Sequence, residues 1–351
     1  MEIYHYTKLD VLYSMFKNAK SEKGKDCERN EVFSFPSKEY ITFWAGCAYY
    51  MNDPKELRSS FDAIISKLPE IEVELKIEND KKISNWIQEQ DASFDDWLNN
   101  TVFTPESYAP FIISFSSKPD YLPMWSMYGQ NGIGVSLCFN TDDFECSNYP
   151  VKGVEKVNYE MNEACLQKIV TIYKRYIEKL KSPILHKKEQ DKNNIRLLLK
   201  QFEDKMPGEI KDKLDDIFNE NLNFDDSVSE DLKNASIAQL TRASLAEMIL
   251  ELATIIKSNS YDYEDEYRCV IPLSTHPIIA MKTPKLFEYR MSNNIIIPYI
   301  KVDVPFKCLK KIIIGPCSNY NMVRMSLKLM MNTFGIPDIK IEKSNVPYRN
   351  M

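Results

Sequence analysis

The sequence predicts an α+β protein, a mixed and largely antiparallel split sheet core carrying a long all-helical insertion. Three observations lead there. Short runs rich in Ile, Val and aromatic residues, bounded by turn residues, occur near both ends, as at 111–116 and 311–314. Residues 157–259 show helical periodicity and no strand pattern. Strand segments flanking a helical block imply one sheet assembled from the two ends of the chain. The expected division is therefore 1–156 and 260–351 for the two parts of the core, with 157–259 as the insertion.

Each element follows from local pattern. A strand is expected over 2–6, then a helix with Leu9, Leu12 and Phe16 on one face. Residues 41–44 form the next strand. Asp53 and Pro54, with Glu56 three positions after Asp53, are a helix start, and Leu57, Phe61, Ile64 and Leu68 give that helix its apolar stripe. From Pro69 the pattern is mixed, with Trp86 and Trp97 packing helices onto the core. Strands are expected at 111–116 and 133–139, separated by a turn-rich stretch. In the insertion, Leu166, Ile169, Val170, Tyr173, Ile177 and Leu180 define a helix that Pro183 ends. Further helices are expected at 195–202, 210–222 and 232–256. Strands return at 263–273, 294–304 and 311–314. A helix capped by Ser318 or Asn319 and a last strand at 339–343 close the chain.

Composition narrows the function classes. The chain has 351 residues, 44% hydrophobic and 27% charged, with a formal net charge of −6. That mix supports a sizeable core and gives no whole-chain support to phosphate-driven nucleic-acid binding. Within the insertion, 174–200 is basic and 203–231 acidic, which fits helices pairing with each other more readily than a nucleic-acid surface. No apolar run is long enough to cross a bilayer, and the opening Met-Glu-Ile-Tyr-His-Tyr has no signal-peptide pattern, so a cytoplasmic protein without membrane contact is expected. The eight Cys include no Cys-x-x-Cys pair, and with three His they give no zinc spacing and no disulfide framework.

The residues that could carry chemistry fall in three places. On a continuous strand through Tyr261-Asp262-Tyr263-Glu264-Asp265-Glu266-Tyr267-Arg268, the residues Asp262, Glu264, Glu266 and Arg268 would share one face. Crowded carboxylates of this kind perturb one another's proton affinity and are frequent at functional sites, although an exposed face with Arg268 paired to Glu266 fits the same pattern. His5, with Tyr6 and Thr7, offers hydroxyls and aromatic faces that can grip a ribose; a satisfied core histidine is the plainer alternative. Trp125, Ser126 and Tyr128 precede the turn at 129–134, which matches neither phosphate-loop nor dinucleotide fingerprints and suits either a pocket wall or a packed aromatic corner. Asp262, Glu264 and Glu266 could together hold a hard cation in a nuclease, but Arg268 stands where that chemistry places Lys, and no metal is expected.

Several motifs come in a recognisable order: Tyr4-His5-Tyr6-Thr7, Asn52-Asp53-Pro54-Lys55-Glu56, Ser114-Phe115-Ser116 with Met124-Trp125-Ser126-Met127-Tyr128-Gly129, Tyr263 to Arg268, Ile313-Ile314-Gly315-Pro316, and Ser344-Asn345-Val346-Pro347-Tyr348-Arg349. Together they resemble the bacterial domain-of-unknown-function family numbered twenty-nine seventy-one. The chain is also similar, at the level of fold analogy, to ADP-ribosyltransferases. These use a His or Arg on the first strand, a Ser or Tyr on a middle strand and a Glu on a late strand. That resemblance implies NAD as cofactor, bound by His5, Tyr6, Thr7 and Ser116 or Tyr128, with Tyr128 stacking on nicotinamide. It implies Glu266 as the catalytic carboxylate, Glu264 orienting the acceptor, and Trp125 and Arg268 contacting substrate. The ligand would be a nucleotide-like small molecule and the acceptor a protein or nucleic acid, as in a toxin or anti-phage effector. A binding module without turnover is the alternative.

Overall fold

The computed structural model describes residues 1–21, 38–51, 56–89, 96–98, 108–149, 151, 153–181, 226–274, 286–292 and 294–348. The chain divides into two compact units, 1–64 with 92–162 and 250–351, and 65–91 with 163–249.

Among the described residues, the first unit is built on a sheet of ten strands. In chain order they are β1 (Glu2–Thr7), β2 (Tyr40–Cys47), β3 (Tyr108–Ser116), β4 (Val135–Asn140), β5 (Glu155–Lys156), β6 (Glu266–Ser274), β7 (Glu288–Ser292), β8 (Ile295–Pro305), β9 (Leu309–Ile314) and β10 (Lys340–Lys343). The order across the sheet is β10-β9-β4-β1-β3-β2-β8-β7, and β6 pairs along the other edge of β3 and takes β5 on its far side. Every pairing is antiparallel except β10 with β9. The largely antiparallel split sheet read from the sequence is thus present. The sheet branches at β3. One edge of β3 pairs with β6 from Tyr108 to Ser116, while the other is shared by β2, at Phe111 and Ile112, and β1, at Ser116.

Alternation gives the two faces different chemistry. One face carries Ile3, Phe43, Ala45, Phe111, Ile113, Phe115, Leu137, Phe139, Val302, Ile312 and Ile314, all buried in the main apolar core. Helices α1 (Leu9–Lys17) and α7 (Tyr320–Phe334) contribute Leu12, Met15, Phe16, Leu327 and Met331 to it. Asn319 caps α7 through its side chain, and Gly335, with φ of 68°, ends it. The opposite face carries Tyr4, Tyr6, Cys138 and Ile313, on which the short helix α4 (Leu122–Met127) packs Met124 and Trp125.

The backbone comes very close where two of the quoted motifs meet. A Cβ at Gly134 would sit 2.3 Å from the Thr7 carbonyl, and one at Gly315 would sit 2.3 Å from the Gly132 carbonyl. Only glycine lets the turn at 129–134 lie against β1 and the end of β9.

The second unit is helical: the C-terminal part of α2 (Glu56–Glu74), α3 (Ile83–Glu89), α5 (Glu163–Leu180) and most of α6 (Asp226–Ala253). Pro69 sits inside α2, which continues past the point where the sequence pattern becomes mixed. On α5 the buried stripe is Cys165, Ile169, Ile172, Tyr173, Tyr176 and Leu180, so Ile169, Tyr173 and Leu180 face inward as expected, while Cys165, Ile172 and Tyr176 are buried in place of Leu166, Val170 and Ile177. The tyrosines go in because their hydroxyls find partners there. Tyr173 donates to the fully buried Glu72 and accepts from the Ile83 amide at 2.8 Å, while Tyr176 meets the Thr241 hydroxyl at 2.8 Å. The expected helix start at Asn52–Pro54, the helices at 195–202 and 210–222, and the stop at Pro183 lie outside the described residues.

β5 and β7 add two strands that the sequence pattern does not announce. A further difference is at 263–273. Asn259–Glu264 is a 3₁₀ helix, Asp265 takes the left-handed conformation at φ 41° and ψ 58°, and the strand begins only at Glu266. Among the described residues no helix is long and apolar enough to cross a membrane.

Candidate functional site

The 3₁₀ turn decides the geometry of the Glu-Asp-Glu segment. On a strand Glu264 and Glu266 would point the same way, with Asp262 beside them. Here Asp262 is exposed on the 3₁₀ helix, and the left-handed Asp265 swings the chain between the two glutamates. Asp265 is held there by Lys156 at 3.0 Å, by the Ser117 hydroxyl, and by the Ser117 amide, which donates to its carbonyl at 3.1 Å. Asp is among the few residues that adopt this conformation at low cost. The result is that Glu264 and Glu266 converge on one cation from different elements.

That cation is Lys257, just beyond the end of α6. Its ammonium donates to Glu264 Oε2 at 2.7 Å and to Glu266 Oε2 at 2.9 Å, and lies 4.7 Å from the centre of the Tyr261 ring. Arg268, one strand pair along from Glu266, grips it through Nε at 2.8 Å and Nη2 at 2.9 Å, and its Nη1 donates to the Thr254 carbonyl at 2.6 Å. Glu264 accepts from the Tyr128 hydroxyl at 2.8 Å. The Glu266 amide donates to the Tyr159 hydroxyl at 2.9 Å, and Ser116 donates to the Glu264 carbonyl at 2.5 Å. Lys257, Glu264, Glu266 and Arg268 expose only 6%, 2%, 3% and 1% of their surfaces. Two carboxylates and two cations are thus sealed together with no formal net charge, the condition under which buried charge is tolerable.

The electrostatics follow. Burial alone would raise the Glu266 carboxyl, but Arg268 and then Lys257 outweigh it and hold the group down to about 2. Burial would likewise lower Lys257, yet Glu266 and Glu264 keep it above its ordinary value. Both side chains are fixed in their charged forms.

The two carboxylates differ in how they could be released. Both oxygens of Glu266 are engaged by Arg268, one of them also by Lys257. Glu264 presents Oε1 to a neutral donor, Tyr128, which is partly exposed, and its carboxylate is also within reach of the Tyr263 phenol. Tyr261 and Tyr263, also partly exposed, stand on the 3₁₀ turn, with the Tyr263 hydroxyl 3.0 Å from Met127 Sδ. The Tyr128 side is where the network meets aromatic rings near solvent.

The other candidates separate. Ser116 is fully buried and bonded to backbone on both sides, since its oxygen also accepts from the Lys118 amide at 3.0 Å. Trp125 is fully buried, edge-on to Tyr6 at 4.9 Å, and its indole N–H donates to Asp120 at 2.7 Å. Asp120 in turn accepts from the Ser344 hydroxyl and the Asn345 amide, each at 2.7 Å, so the closing motif is anchored on the aromatic corner. Tyr6 is buried, donates to the Lys118 carbonyl at 2.7 Å and accepts from the Tyr121 amide at 3.1 Å. Trp125 and Arg268 are packed and paired side chains, with no open surface for a substrate.

His5 and Thr7 stand on the other face of the sheet. The His5 ring packs edge-on against Phe43 at 5.2 Å and Phe115 at 5.7 Å, and its Nδ1 lies 2.8 Å from the Ser114 carbonyl. A carbonyl can only accept, so Nδ1 carries the proton. Burial pushes the imidazole below its ordinary value, against the pull of that bond. Registers of Tyr4 with Ser116 and of Ser116 with Glu266 put those three on one face, and alternation sends His5 and Thr7 to the opposite one. The expected grouping of His5 with Tyr128 and Glu266 is therefore not formed. The sequence pattern did not disclose Lys257, Tyr159 or Thr254. The one available signal for Lys257 was a cation at the end of an apolar helix, shortly before a segment with three more acids than bases.

Among the described residues no group of three His, Cys, Asp or Glu side chains converges to hold a metal ion. The Asp262, Glu264 and Glu266 trio fails because Asp262 points elsewhere and ammonium and guanidinium groups already occupy the other two.

The family model described as "Protein of unknown function (DUF2971)" matches residues 124–269. Over that span, which holds Tyr128, Tyr159, Lys257, Glu264, Glu266 and Arg268, the chain is similar to this family, as its motifs suggest. No curated protein and no solved structure matches the chain.

Proposed function

We propose that the chain binds a ribonucleotide of the NAD class at the Tyr128 end of the buried network and acts on it as an ADP-ribosyltransferase-like or NAD-cleaving enzyme. The observation that carries this reading is the unequal pairing of the two glutamates. Freeing Glu266 means breaking a buried bidentate ion pair, a cost of about 3–5 kcal/mol. Freeing Glu264 Oε1 from Tyr128 means moving a neutral phenol, a cost of about 1.5–3 kcal/mol for that hydrogen bond to a charged acceptor. A ribose hydroxyl can replace that phenol, with the ring of Tyr128 or Tyr261 stacking on a base. Glu264 is then the carboxylate beside the reacting sugar, while Glu266, Arg268 and Lys257 hold it in place. In the reaction the ribosyl C1′–nitrogen bond breaks, nicotinamide leaves with the electron pair, and Glu264 stabilises the oxocarbenium charge until an acceptor or water adds to C1′. His5 has no part in this version.

A second reading, ligand binding without turnover, is favoured by the complete pairing of the network, which suits a rigid platform as well as a reaction centre.

Calorimetric titration with NAD, with nicotinamide release followed in the same sample, tests both. The expected result is binding with release, and loss of release in Glu264→Gln with the far-UV spectrum unchanged. Binding without release supports the platform reading. The absence of NAD binding, or release that persists in Glu264→Gln, refutes the enzymatic one.

A further inference from the structure

The sheet ends in two outer strands of different character. β10 is Lys-Ile-Glu-Lys, with lysines at both ends, the kind of charged edge that resists pairing with another sheet. β7 is Glu-Tyr-Arg-Met-Ser, without lysine or proline, and among the described residues its outer edge has no strand partner. Its side chains are exposed in a way that a lone edge does not explain. Tyr289 and Met291 are 67% and 68% exposed, and Ile296, opposite Met291 on β8, is 59% exposed. These residues continue, past the end of the packed core, the same sheet face that buries Ile300, Val302 and Val304. Arg290 is exposed and has no carboxylate partner among the described residues, and Glu288 lies two positions away on the same face of the strand.

We propose that β7 is a homodimerisation edge, pairing antiparallel with β7 of a second copy about a two-fold axis at Tyr289. A two-fold axis through one residue fixes every other pair in the ladder. Glu288 falls opposite the partner's Arg290, and Arg290 opposite the partner's Glu288. Phe287 falls opposite the partner's Met291, and Tyr289 meets its own counterpart. Charges therefore meet opposite charges on one face and apolar side chains meet apolar ones on the other. Directly opposed pairs of this kind are the stabilising unit of antiparallel sheets. Moving the axis to Glu288 or Arg290 would set like charges against each other, so the charge pattern favours the Tyr289 register over both. Glu288 is already oriented by Lys301 at 2.7 Å and by the Tyr299 hydroxyl at 2.7 Å, which leaves its carboxylate ordered at the edge. A second copy is the occupant because the strand is complementary to itself, while the lysines of β10 disfavour the β7-to-β10 contact that would build an open fibre.

Sedimentation velocity of the full chain over a concentration series, with far-UV spectra to verify folding, decides the matter. A concentration-dependent dimer is expected. Arg290→Glu, which places glutamate opposite glutamate twice, should weaken it at least about tenfold, and Arg290→Lys should retain it. A monomer at all concentrations, an open polymer, or a dimer that Arg290→Glu leaves unchanged would each overturn the proposal.

Discussion

Replacing Arg268 with Met removes one cation from the buried network while nearly preserving side-chain volume. In the native protein Glu266 is held at about 2 against an ordinary 4.5. At roughly 1.4 kcal/mol for each tenfold change in proton affinity, that gap corresponds to about 3 kcal/mol of folding stability. Because the folded value is depressed, this stability is present above pH 4.5 and is lost as pH falls toward 2. Removing Arg268 leaves Glu266 buried with Lys257 alone and the Thr254 carbonyl without a donor that lay at 2.6 Å. Breaking a buried pair from one side costs about 3–5 kcal/mol, which for a unit of this size lowers the melting temperature by roughly 6–20 °C. The acid dependence supplies a second readout. Since the wild-type contribution falls to less than half near pH 3, the difference between wild type and variant should shrink there. Thermal unfolding of both proteins at pH 7 and pH 3 is the assay. A variant that melts within about 2 °C of wild type at pH 7, or a difference that persists undiminished at pH 3, would show that Arg268 is not the counter-charge of Glu266.

Two further outcomes test the surroundings of the network. Asp265→Val should destabilise the protein more than Asp265→Gly in urea unfolding, because both lose the bonds to Ser117 and Lys156 but only valine is forced into φ 41°, a strain of about 1–2 kcal/mol; equal losses would count against a conformational role for Asp265. The His5 imidazole, disfavoured in its charged form by burial, should titrate below 6.5 by nuclear magnetic resonance, so its contribution to stability is present at neutral pH and is lost as pH falls below 6.5; a midpoint above 6.5 would contradict the packing against Phe43 and Phe115.

Much of the sheet was legible because its strands obey simple patterns. The runs at 111–116, 133–139 and 311–314 are apolar and β-branched, and they become β3, β4 and β9 with shifts of a few residues at their ends. β7 escaped because Glu-Tyr-Arg-Met-Ser has neither an apolar run nor a buried face; it is a strand only because β8 offers it a ladder. The inward Tyr176 of α5 escaped for a related reason. Helical periodicity marks which positions are apolar, but Tyr176 is buried through a hydroxyl partner, Thr241 on α6, which no local pattern contains.

The candidate site shows the same division at finer scale. Alternation along a strand correctly predicted that Glu266 and Arg268 share a face, and the ion pair of the plain alternative forms, but buried rather than on the exposed face that alternative expected. Alternation failed one residue earlier, because a single left-handed Asp265 resets the parity of everything before it. The same applies to His5. A histidine followed by tyrosine and threonine on a first strand looks alike whether it faces a cleft or a core, and only its register against Leu137 and the main apolar face distinguishes the two. A three-residue signature spread over a whole chain therefore specifies residue types without specifying faces. Facing is set by pairing, and the pairing here gathers Tyr128, Lys257, Glu264, Glu266 and Arg268 while sending His5 to the other side. If the protein handles a nucleotide, the chemistry must be organised from the Tyr128–Glu264 end, and the histidine of the first strand packs against Phe43 and Phe115 on the opposite face, where its replacement by an apolar ring should leave that chemistry in place.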